Sequence, residues 1–456
     1  MAALGSAPTV MWFRRDLRLR DHPALHAAAK KGPVTALFVL DDVLLERDKG
    51  PRTAMLFRTL RALDEDLQSH GGRLTVRRGK PQTVVPQVAT EIGASEVHIS
   101  VDFAPYGKRR DERVEKALGE VGSGVPLVRT GSPYAMSPGF VTKQDGEPFK
   151  VFSPFYREWM RRGWHTPSSS NPSRMTWHPV DGLDIPEDPA ITADLPDAGE
   201  AAALAMWRAF RAEWVARYSR DRNRPDLDRT SHMSVHLHFG TIHPRTMLAD
   251  LGKGGEAYRR QICWRDFYAQ VLHFWPESAY GYFQPQMQRM RFETGKTADE
   301  RFEAWKDGRT GYPIVDAGMR QLLAIGWMHN RLRMIAASFL VKDLHIEWTL
   351  GAQHFMDYLI DGDLANNQHG WQWVAGTGTD PAPFFRIFNP VLQGRKFDPD
   401  GDYVRRYLPE LASVPGSAVH EPWTLDDPPD AYPKPIVDHD TERKGSLARY
   451  QEVRGD

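Results

Sequence analysis

Four residues that could contact a planar polar ligand lie on one face of a predicted helix in the second half of the chain. They stand at positions i, i+3, i+4 and i+7: Gln261, Trp264, Arg265 and Tyr268. Residues at this spacing share a helix face. An amide, an indole and a guanidinium side by side could line a pocket for a planar ligand. An amphipathic helix at an internal interface explains the same spacing.

A second predicted helix, residues 329–342, carries Asn330, Arg333 and Met334 at the same spacing, and the rest of that helix is apolar. A buried amide must satisfy its hydrogen bonds. A buried arginine needs a carboxylate or a phosphate as its partner. The pattern therefore predicts either an internal salt bridge or a contact to a phosphate or carbonyl group of a bound cofactor.

The segment DGDLANNQHGWQW, residues 361–373, has the densest set of polar and aromatic side chains. Asp361 and Asp363 flank a glycine, and Asn367 and Trp371 follow, four residues apart. A calcium loop of the 12-residue type requires glycine at its sixth position and glutamate at its twelfth, and both are missing. Carboxylates that accept N–H groups of a heterocycle fit the segment better.

Residues 230–234, TSHMS, stand before an apolar helical stretch and offer hydroxyl and N–H groups to an anion. Ordinary helix capping explains them as well. Between residues 208 and 229, seven arginines accompany four acidic residues. This basic surplus could face phosphates or form a solvated helix surface.

Several classes of protein are disfavoured by composition. The chain has 456 residues, 59 basic and 59 acidic side chains, and one cysteine, Cys263. A disulfide framework, a multi-cysteine metal site and a nucleophile triad are not visible, and we expect no metal. No apolar run approaches the roughly 20 residues of a membrane span, and no basic flank of a secretory signal is present. We expect a cytoplasmic enzyme or receptor; zero net charge does not by itself predict nucleic-acid binding.

The first part of the chain alternates short β-rich runs with helical patterns. The runs are residues 10–13, 35–40, 74–77, 97–101 and 127–129. This predicts an α/β domain, residues 1–132, with a doubly wound parallel five-stranded sheet and a ligand at the carboxyl ends of the strands. Residues 133–200 are rich in proline and predict a long linker. Helical periodicity dominates afterwards, so residues 201–456 are predicted to form an all-α domain.

Long motifs make the sequence recognisable at this point. They are MWFRRDLR (residues 11–18), TGYPIVDA (310–317), GWMHNRLRM (326–334) with IAASFLVKD (335–343), DGD (361–363) with GWQW (370–373), and FRIFNP (385–390). From about residue 9 to residue 440 the chain resembles the cryptochrome/photolyase family, and within it most closely the class I cyclobutane pyrimidine dimer DNA photolyases.

The resemblance implies FAD, in a U-shaped conformation, inside the helical domain. The residues matched to its phosphates and ribityl chain are Tyr218, Thr230, Ser231, His232, Met233 and Ser234, with Tyr258 where the family often has tryptophan. The residues matched to the isoalloxazine and its side chain are Arg265, Arg333, Asp361 and Asp363, and Asn367 would face the flavin N5. The matched photoreduction chain, from the flavin to the protein surface, is Trp371, Trp348 and Trp305.

The resemblance also implies a substrate, UV-damaged DNA. Trp264 and Trp373 would flank the pyrimidine dimer. The other residues matched to lesion or DNA are Arg222, Gln261, Arg265, Asn330, Arg331, Met334, Gln372 and Arg386. Reduced flavin excited by blue light would donate one electron to the flipped-out dimer and split it. The cofactor carries such chemistry while the protein binds and orients.

Two departures from the family pattern keep alternatives open. Class I dimer photolyases usually have glutamate at the position of Gln261, and glutamine there is typical of (6-4) photolyases and animal cryptochromes. Asn330 and Met334 instead favour dimer repair. Gln368 and His369 stand where relatives often have Asn–Gly, and they would add bulk beside Asn367. A (6-4) photolyase and a cryptochrome-like photoreceptor are therefore the alternatives.

The resemblance also bears on an antenna chromophore. Folate-binding relatives have a glutamate at the position of Ala104 and a Cys–Lys pair at Ala279–Tyr280, which this chain lacks. An 8-hydroxy-5-deazaflavin is therefore expected, and folate is the less favoured antenna. The antenna residues would be Arg14, Phe38, Asp102 and Arg110. We expect a monomeric bacterial protein, without membrane contact, located in the cytoplasm and at the nucleoid through DNA binding.

Overall fold

The computed structural model describes residues 6–47, 50–120, 124–379 and 385–455. Its first part contains a parallel five-stranded sheet in the order β3-β2-β1-β4-β5. The strands are β1 (Thr9–Phe13), β2 (Val34–Leu40), β3 (Leu74–Arg78), β4 (Glu96–Ile99) and β5 (Leu127–Arg129). In register, Met11 of the central strand pairs with Ala36 and with His98. The predicted parallel sheet is confirmed.

Helices cover both faces of this sheet. They are α1 (Pro23–Lys31), α2 (Asp42–Arg47), α3 (Pro51–Ser69), α4 (Pro81–Glu91) and α5 (Pro105–Gly119). Side chains of β1 point alternately to two cores: Met11 and Phe13 pack on one side, and Val10 and Trp12 on the other. A sheet covered on both faces has continuously apolar strands, and every residue of β1 and β2 is buried.

Helices are the main elements in the rest of the described chain. The helices are α6 (Phe152–Arg162), α7 (Gly199–Glu213), α8 (Tyr218–Asp221), α9 (Met233–Phe239), α10 (Pro244–Asp250), α11 (Glu256–Phe274), α12 (Lys296–Lys306), α13 (Pro313–Ile325), α14 (Asn330–Lys342), α15 (Trp348–Tyr358), α16 (Leu364–Ala375), α17 (Pro390–Phe397), α18 (Asp402–Tyr407) and α19 (His439–Arg454). The predicted helical second domain is confirmed. Among the helices of the described ranges, none is both long and apolar enough to cross a lipid bilayer.

The segment between β5 and α7 is mostly irregular and packs back onto the sheet. Val34 at the start of β2 donates its N–H to the carbonyl of Thr176 and accepts the N–H of His178, both at 2.9 Å. The segment is therefore attached to the α/β part along β2. Its limits at residues 132 and 200 stay a prediction.

The residues that follow β1 join the sheet to the helical part. Leu17 donates its N–H to the carbonyl of Phe239 at 3.1 Å, and the Arg18 guanidinium donates to the carbonyl of Gly240 at 2.9 Å. Gly240 has φ +70°, and a Cβ there would lie 2.0 Å from the carbonyl oxygen of Arg15. Only glycine permits this approach of two backbones. The end of β1 is thereby fixed against α9.

Candidate functional site

Asp363 fixes the start of α16, the helix with Asn367, Trp371 and Trp373. Its Oδ1 accepts the backbone N–H of Asn366 at 3.0 Å, which is an N-cap bond. Its Oδ2 lies 2.6 Å from Nη2 of Arg15. Burial alone would raise the pKa of Asp363, but Arg15 and Arg265 hold that pKa well below its ordinary value. Both oxygens are bonded within the protein, and the expected cofactor contact of Asp363 stays a prediction.

Asp361 is buried and only partly satisfied. Its Oδ2 lies 2.7 Å from Nη2 of Arg333, and Arg333 also donates to the carbonyl of Met328 at 2.8 Å. The internal salt bridge that the sequence allowed is therefore present. The other oxygen, Oδ1, is buried and meets no donor within the described residues. A buried carboxylate oxygen normally accepts a hydrogen bond, so this oxygen is available to an N–H group of a ligand.

Asn367 offers an acceptor. Its Nδ2 donates to the carbonyl of Ala352 at 3.0 Å and to Oε1 of Gln368 at 2.9 Å. An amide nitrogen has two hydrogens, and both are used. Oδ1 of Asn367 is therefore the atom left for a ligand, and it can only accept.

Gln368 and His369 pack against the short 3₁₀ helix Pro276–Ala279. Gln368 donates to the carbonyl of Ala279 at 2.6 Å, and Nε2 of His369 lies 2.9 Å from the hydroxyl of Ser278. Burial lowers the pKa of His369 to about 4, so its ring is neutral at physiological pH. The two residues attach α16 to this 3₁₀ helix, and Gln368 also orients the amide of Asn367.

The loop before α9 is held by contacts of its side chains with residues of other elements. The hydroxyls of Ser231 and Tyr258 lie 2.7 Å apart, and the ring of His232 stacks on Trp327 with centroids 4.0 Å apart. The hydroxyl of Thr230 is buried and meets no partner in the described part of the chain. A buried hydroxyl without a hydrogen-bond partner lowers the stability of the folded protein. In this loop, the Thr230 hydroxyl is the group that lacks such a partner.

The other side chains of this loop, and those beside it, also contact protein groups. The indole N–H of Trp327 donates to Oγ of Ser234 at 3.2 Å, and Met233 is buried in the core. Tyr218 packs edge-on against Tyr258, with ring centroids 5.1 Å apart. Burial raises the pKa of Tyr218 to about 12. These side chains shape the loop, and their cofactor contacts stay predictions.

The expected lesion contacts lie on three helices. Trp264 on α11 stacks on Phe152, with ring centroids 3.7 Å apart and planes 4° from parallel, and it remains half-buried. Trp373 on α16 is half-buried, as are Gln261 and Met334, and Asn330 is exposed. Nδ2 of Asn330 lies 3.7 Å from the sulfur of Met334. The five side chains expected at the lesion therefore keep surface that a substrate could cover.

Two residues assigned to DNA are structural. Gln372 is 0% exposed and bonds the carbonyls of Ser278 and Gly281 and the N–H of Phe283, at 2.8, 3.1 and 2.7 Å. Arg265 is 9% exposed and donates to the carbonyls of Pro133 and Leu237 at 2.7 and 3.1 Å. Both side chains therefore bond backbone groups of the protein, and their assignment to DNA stays a prediction. Helical spacing alone does not separate an inward polar residue from an outward one.

The expected tryptophan chain stays a prediction for Trp371 and Trp348, while Trp305 does not have the expected place. A Cβ on Gly351 of α15 would lie 2.2 Å from the ring of Trp371, so Trp371 packs on the helix that begins with Trp348. Trp305, however, contacts Trp371 directly, at 6.1 Å between ring centroids. Trp305 is 0% exposed and donates its N–H to the carbonyl of Ala336. The prediction that Trp305 ends the chain at the surface is therefore wrong.

Three arginines expected near DNA influence one another. The pKa of Arg331 is lowered to about 10 by burial and by the charges of Arg222 and Arg386. One nitrogen of Arg331 donates to Oδ1 of Asn223 at 2.8 Å, while Nε is buried without a partner among the described residues. Like charges this close favour a bound anion.

The residues expected to hold an antenna form a buried charge network at the ends of β1 and β4. Arg14 pairs with Asp111 at 2.9 Å, and Arg110 pairs with Asp102 at 3.2 Å. Both guanidiniums also lie over the ring of Trp12, at 4.7 and 5.1 Å. Phe38, on β2, is 7% exposed. Their role toward a chromophore stays a prediction.

Sequence reasoning missed Arg15 and the positioning role of Gln368. Arg15 belongs to the Arg–Arg–Asp that comes after β1, so its place at a strand end was visible in the sequence. Its partner is 348 residues away, and no local pattern identifies a contact of that separation. Gln368 was recognised as a departure, but its bond to Asn367 was not predicted.

Comparison with known proteins agrees with this geometry. Residues 258–452 match the family model of the FAD binding domain of DNA photolyase, and residues 9–173 match the DNA photolyase model. The deoxyribodipyrimidine photo-lyase of Streptomyces griseus is 42% identical over 98% of this chain and 99% of its own. The enzyme of the same name from Escherichia coli is 37% identical over 98% of each chain.

Solved structures of the family have the same fold. A class III photolyase from Agrobacterium tumefaciens gives a TM-score of 0.92 at 33% identity, covering 100% of this chain and 99% of its own. A cryptochrome from Synechocystis gives 0.87 at 28% identity, covering 97% and 98%. An archaeal photolyase from Sulfolobus tokodaii with two FAD molecules gives 0.85 at 28% identity, covering 98% and 100%. The chain belongs to the cryptochrome/photolyase family, and its helical part is an FAD-binding domain.

The structural role of Gln372 can be tested by Gln372→Leu. Leucine leaves two carbonyls and one N–H without partners in a buried site, so we expect the free energy of unfolding to fall by about 3–5 kcal/mol. Denaturant unfolding measures this. Gln353→Leu on the exposed surface of α15 is the control and should stay within about 0.5 kcal/mol of the wild type. Unchanged stability of Gln372→Leu together with weaker DNA binding would contradict the structural role and support the assignment of Gln372 to DNA.

Proposed function

We propose that this protein is a light-driven DNA repair enzyme that splits cyclobutane pyrimidine dimers in DNA, a carbon–carbon lyase reaction. The observation that carries the proposal is 42% identity over 98% of the chain to a deoxyribodipyrimidine photo-lyase. The half-buried indoles of Trp264 and Trp373 agree with it, since the faces of a pyrimidine dimer can pack against such rings.

The residues present fit FAD. Oδ1 of Asp361 and the hydroxyl of Thr230 are buried polar atoms that meet no partner within the described residues. In the proposal, Asp361 would accept an N–H of the isoalloxazine, and Thr230 would donate to a phosphate or ribityl oxygen. Oδ1 of Asn367 would accept a hydrogen bond from the flavin N5, since the amide nitrogen is already bonded. When bound, FAD supplies light-driven transfer of one electron to the lesion.

The protein's part in the reaction is to bind and orient the lesion. The dimer must leave the base stack to reach a site inside the protein, as is general for photolyases. Trp264 and Trp373 then flank it, while Asn330 and Met334 contact it from α14. No proton transfer by a general base is needed, which agrees with a sequence in which no nucleophile triad is visible.

DNA phosphates are proposed to bind at Arg222, Arg331 and Arg386. The three guanidiniums are close enough for their charges to lower the pKa of Arg331, and a phosphate would relieve that repulsion. Phosphate contacts position DNA without reading its sequence. Lesion recognition therefore depends on the aromatic and amide groups, and affinity depends on the arginines and on salt.

Gln261 is the observation that favours a second candidate. A glutamine at this position is typical of (6-4) photolyases and animal cryptochromes, and one structural relative is a cryptochrome. An amide can donate and accept hydrogen bonds but cannot carry the charge of a glutamate. Asn330 and Met334, however, stand where (6-4) enzymes have histidines, so dimer repair remains the preferred function.

The finer assignments are proposals as well. We propose an 8-hydroxy-5-deazaflavin antenna near Arg14, Phe38, Asp102 and Arg110, with folate less favoured. The second FAD of the Sulfolobus tokodaii photolyase is an alternative of the same kind. We also propose a monomer in the cytoplasm of a bacterium, associated with the nucleoid through DNA.

A repair assay tests the function directly. Protein with chemically reduced FAD is illuminated with blue light in the presence of single-stranded DNA that contains cyclobutane dimers. We expect the absorbance of intact thymine bases in the DNA to return under light, and no return in the dark. The same protein on (6-4) lesions should give no repair. Light-independent recovery or repair of only the (6-4) lesion would contradict the proposal, and failure on both lesions would favour a photoreceptor.

Thr230→Val tests how the site fits its cofactor. Valine has the shape of threonine without the hydroxyl, so the apoprotein should gain about 1 kcal/mol of stability as a buried unsatisfied group disappears. FAD should bind roughly tenfold more weakly, since one hydrogen bond to a charged group is lost. Flavin fluorescence titration and apoprotein unfolding measure the two effects. Thr59→Val on α3 is the control and should leave FAD affinity unchanged; equal affinity in Thr230→Val would refute the contact.

A further inference from the structure

Trp348 is buried, but one of its aromatic neighbours is not. The ring of Tyr282 meets Trp348 edge-on, with centroids 6.1 Å apart and planes at 87°. Trp348 is 0% exposed, while Tyr282 is half-buried. Trp305, which was expected to end the electron-transfer chain at the surface, is fully buried in the core. Within the described residues, Tyr282 is thus the aromatic side chain that connects Trp348 to the surface.

Tyr282 is bonded to a carboxylate. Its hydroxyl donates to Oε1 of Glu347 at 2.7 Å. Glu347 stands at the N-cap position of α15, yet its side chain makes no capping bond. Burial and the hydrogen bond to Glu347 raise the pKa of Tyr282, so the phenol keeps its proton at rest. The carboxylate is therefore held where it can receive that proton.

We propose that Tyr282 is the terminal electron donor of the photoreduction chain and that Glu347 accepts its proton. The inference rests on the proposed function, because light-excited oxidised FAD is the oxidant that removes an electron from Trp371 and, in turn, from Trp348. Oxidised Trp348 then takes one electron from Tyr282, and the phenolic O–H bond breaks as its proton moves to Glu347. The products are neutral Trp348, a neutral tyrosyl radical and a protonated Glu347.

Chemistry explains why a tyrosine needs this partner. A phenol that loses an electron becomes a strong acid, so its oxidation is favourable only when a base takes the proton at once. A carboxylate at hydrogen-bond distance is such a base. The return of the electron then requires the return of the proton, which slows charge recombination. A tryptophan at the surface would need no such base, and the pairing of Tyr282 with Glu347 therefore supports a proton-coupled end to the chain.

The experiment uses the full chain with oxidised FAD and no DNA. After a blue flash, transient absorption and electron paramagnetic resonance identify the surviving protein radical. The wild type should give a tyrosyl radical, and Tyr282→Phe should give only a short-lived tryptophanyl radical. In Glu347→Gln the tyrosine remains but the base is lost, so tyrosyl formation should slow by about a hundredfold or more. Tyr280→Phe, two residues away and 66% exposed, is the matched control and should behave as wild type.

The outcomes separate this inference from the proposed function. A tyrosyl radical that persists in Tyr282→Phe, or a wild type that yields only tryptophanyl radicals, overturns the assignment of Tyr282. An unchanged rate in Glu347→Gln, also in heavy water, overturns the role of Glu347. Absence of dimer repair by wild-type protein with chemically reduced FAD instead refutes the repair function, since that measurement does not use the chain of aromatic residues.

Discussion

The position of the candidate site depends on an ion pair between the two parts of the chain, in which the Asp363 carboxylate is buried and the Arg15 guanidinium is half-buried. Arg15 comes just after the central strand of the sheet, and Asp363 begins α16 in the helical part. A buried carboxylate such as that of Asp363 would cost several kcal/mol without a charged partner, so the strand end and the helix start are held together. Because Asp363 also caps α16, the pair fixes where that helix begins. Asn367, Trp371 and Trp373 lie 4, 8 and 10 residues further along the chain.

Buried polar groups differ in whether the protein itself supplies all of their partners. The Arg14–Asp111 and Arg110–Asp102 pairs satisfy charges inside the α/β part. By contrast, Oδ1 of Asp361 and Nε of Arg331 are buried without partners in the described part of the chain. Groups of this kind are the ones that a ligand completes.

Periodicity and motifs in the sequence were enough to predict the elements of the fold. Alternation of strand and helix patterns indicated the parallel sheet, and apolar periodicity indicated the helices that carry Trp264 and Asn330. The motifs did not reveal that Gln372 and Arg265 face inward, because a polar residue that bonds backbone carbonyls leaves the same signal as one that faces a ligand. The sequence spacing of the tryptophans also did not predict that Trp305 packs beside Trp371.

The most direct test of the central claim is a double-mutant cycle on Arg15→Met and Asp363→Asn, read as the dissociation constant for FAD. Methionine keeps the apolar stem of arginine, and asparagine keeps the N-cap of α16, so the cycle isolates the ion pair. If the pair positions α16, each single variant weakens FAD binding and the double variant is little worse than either, with a coupling energy of about 1–3 kcal/mol. Losses that simply add, or FAD affinity that does not change, would contradict the account.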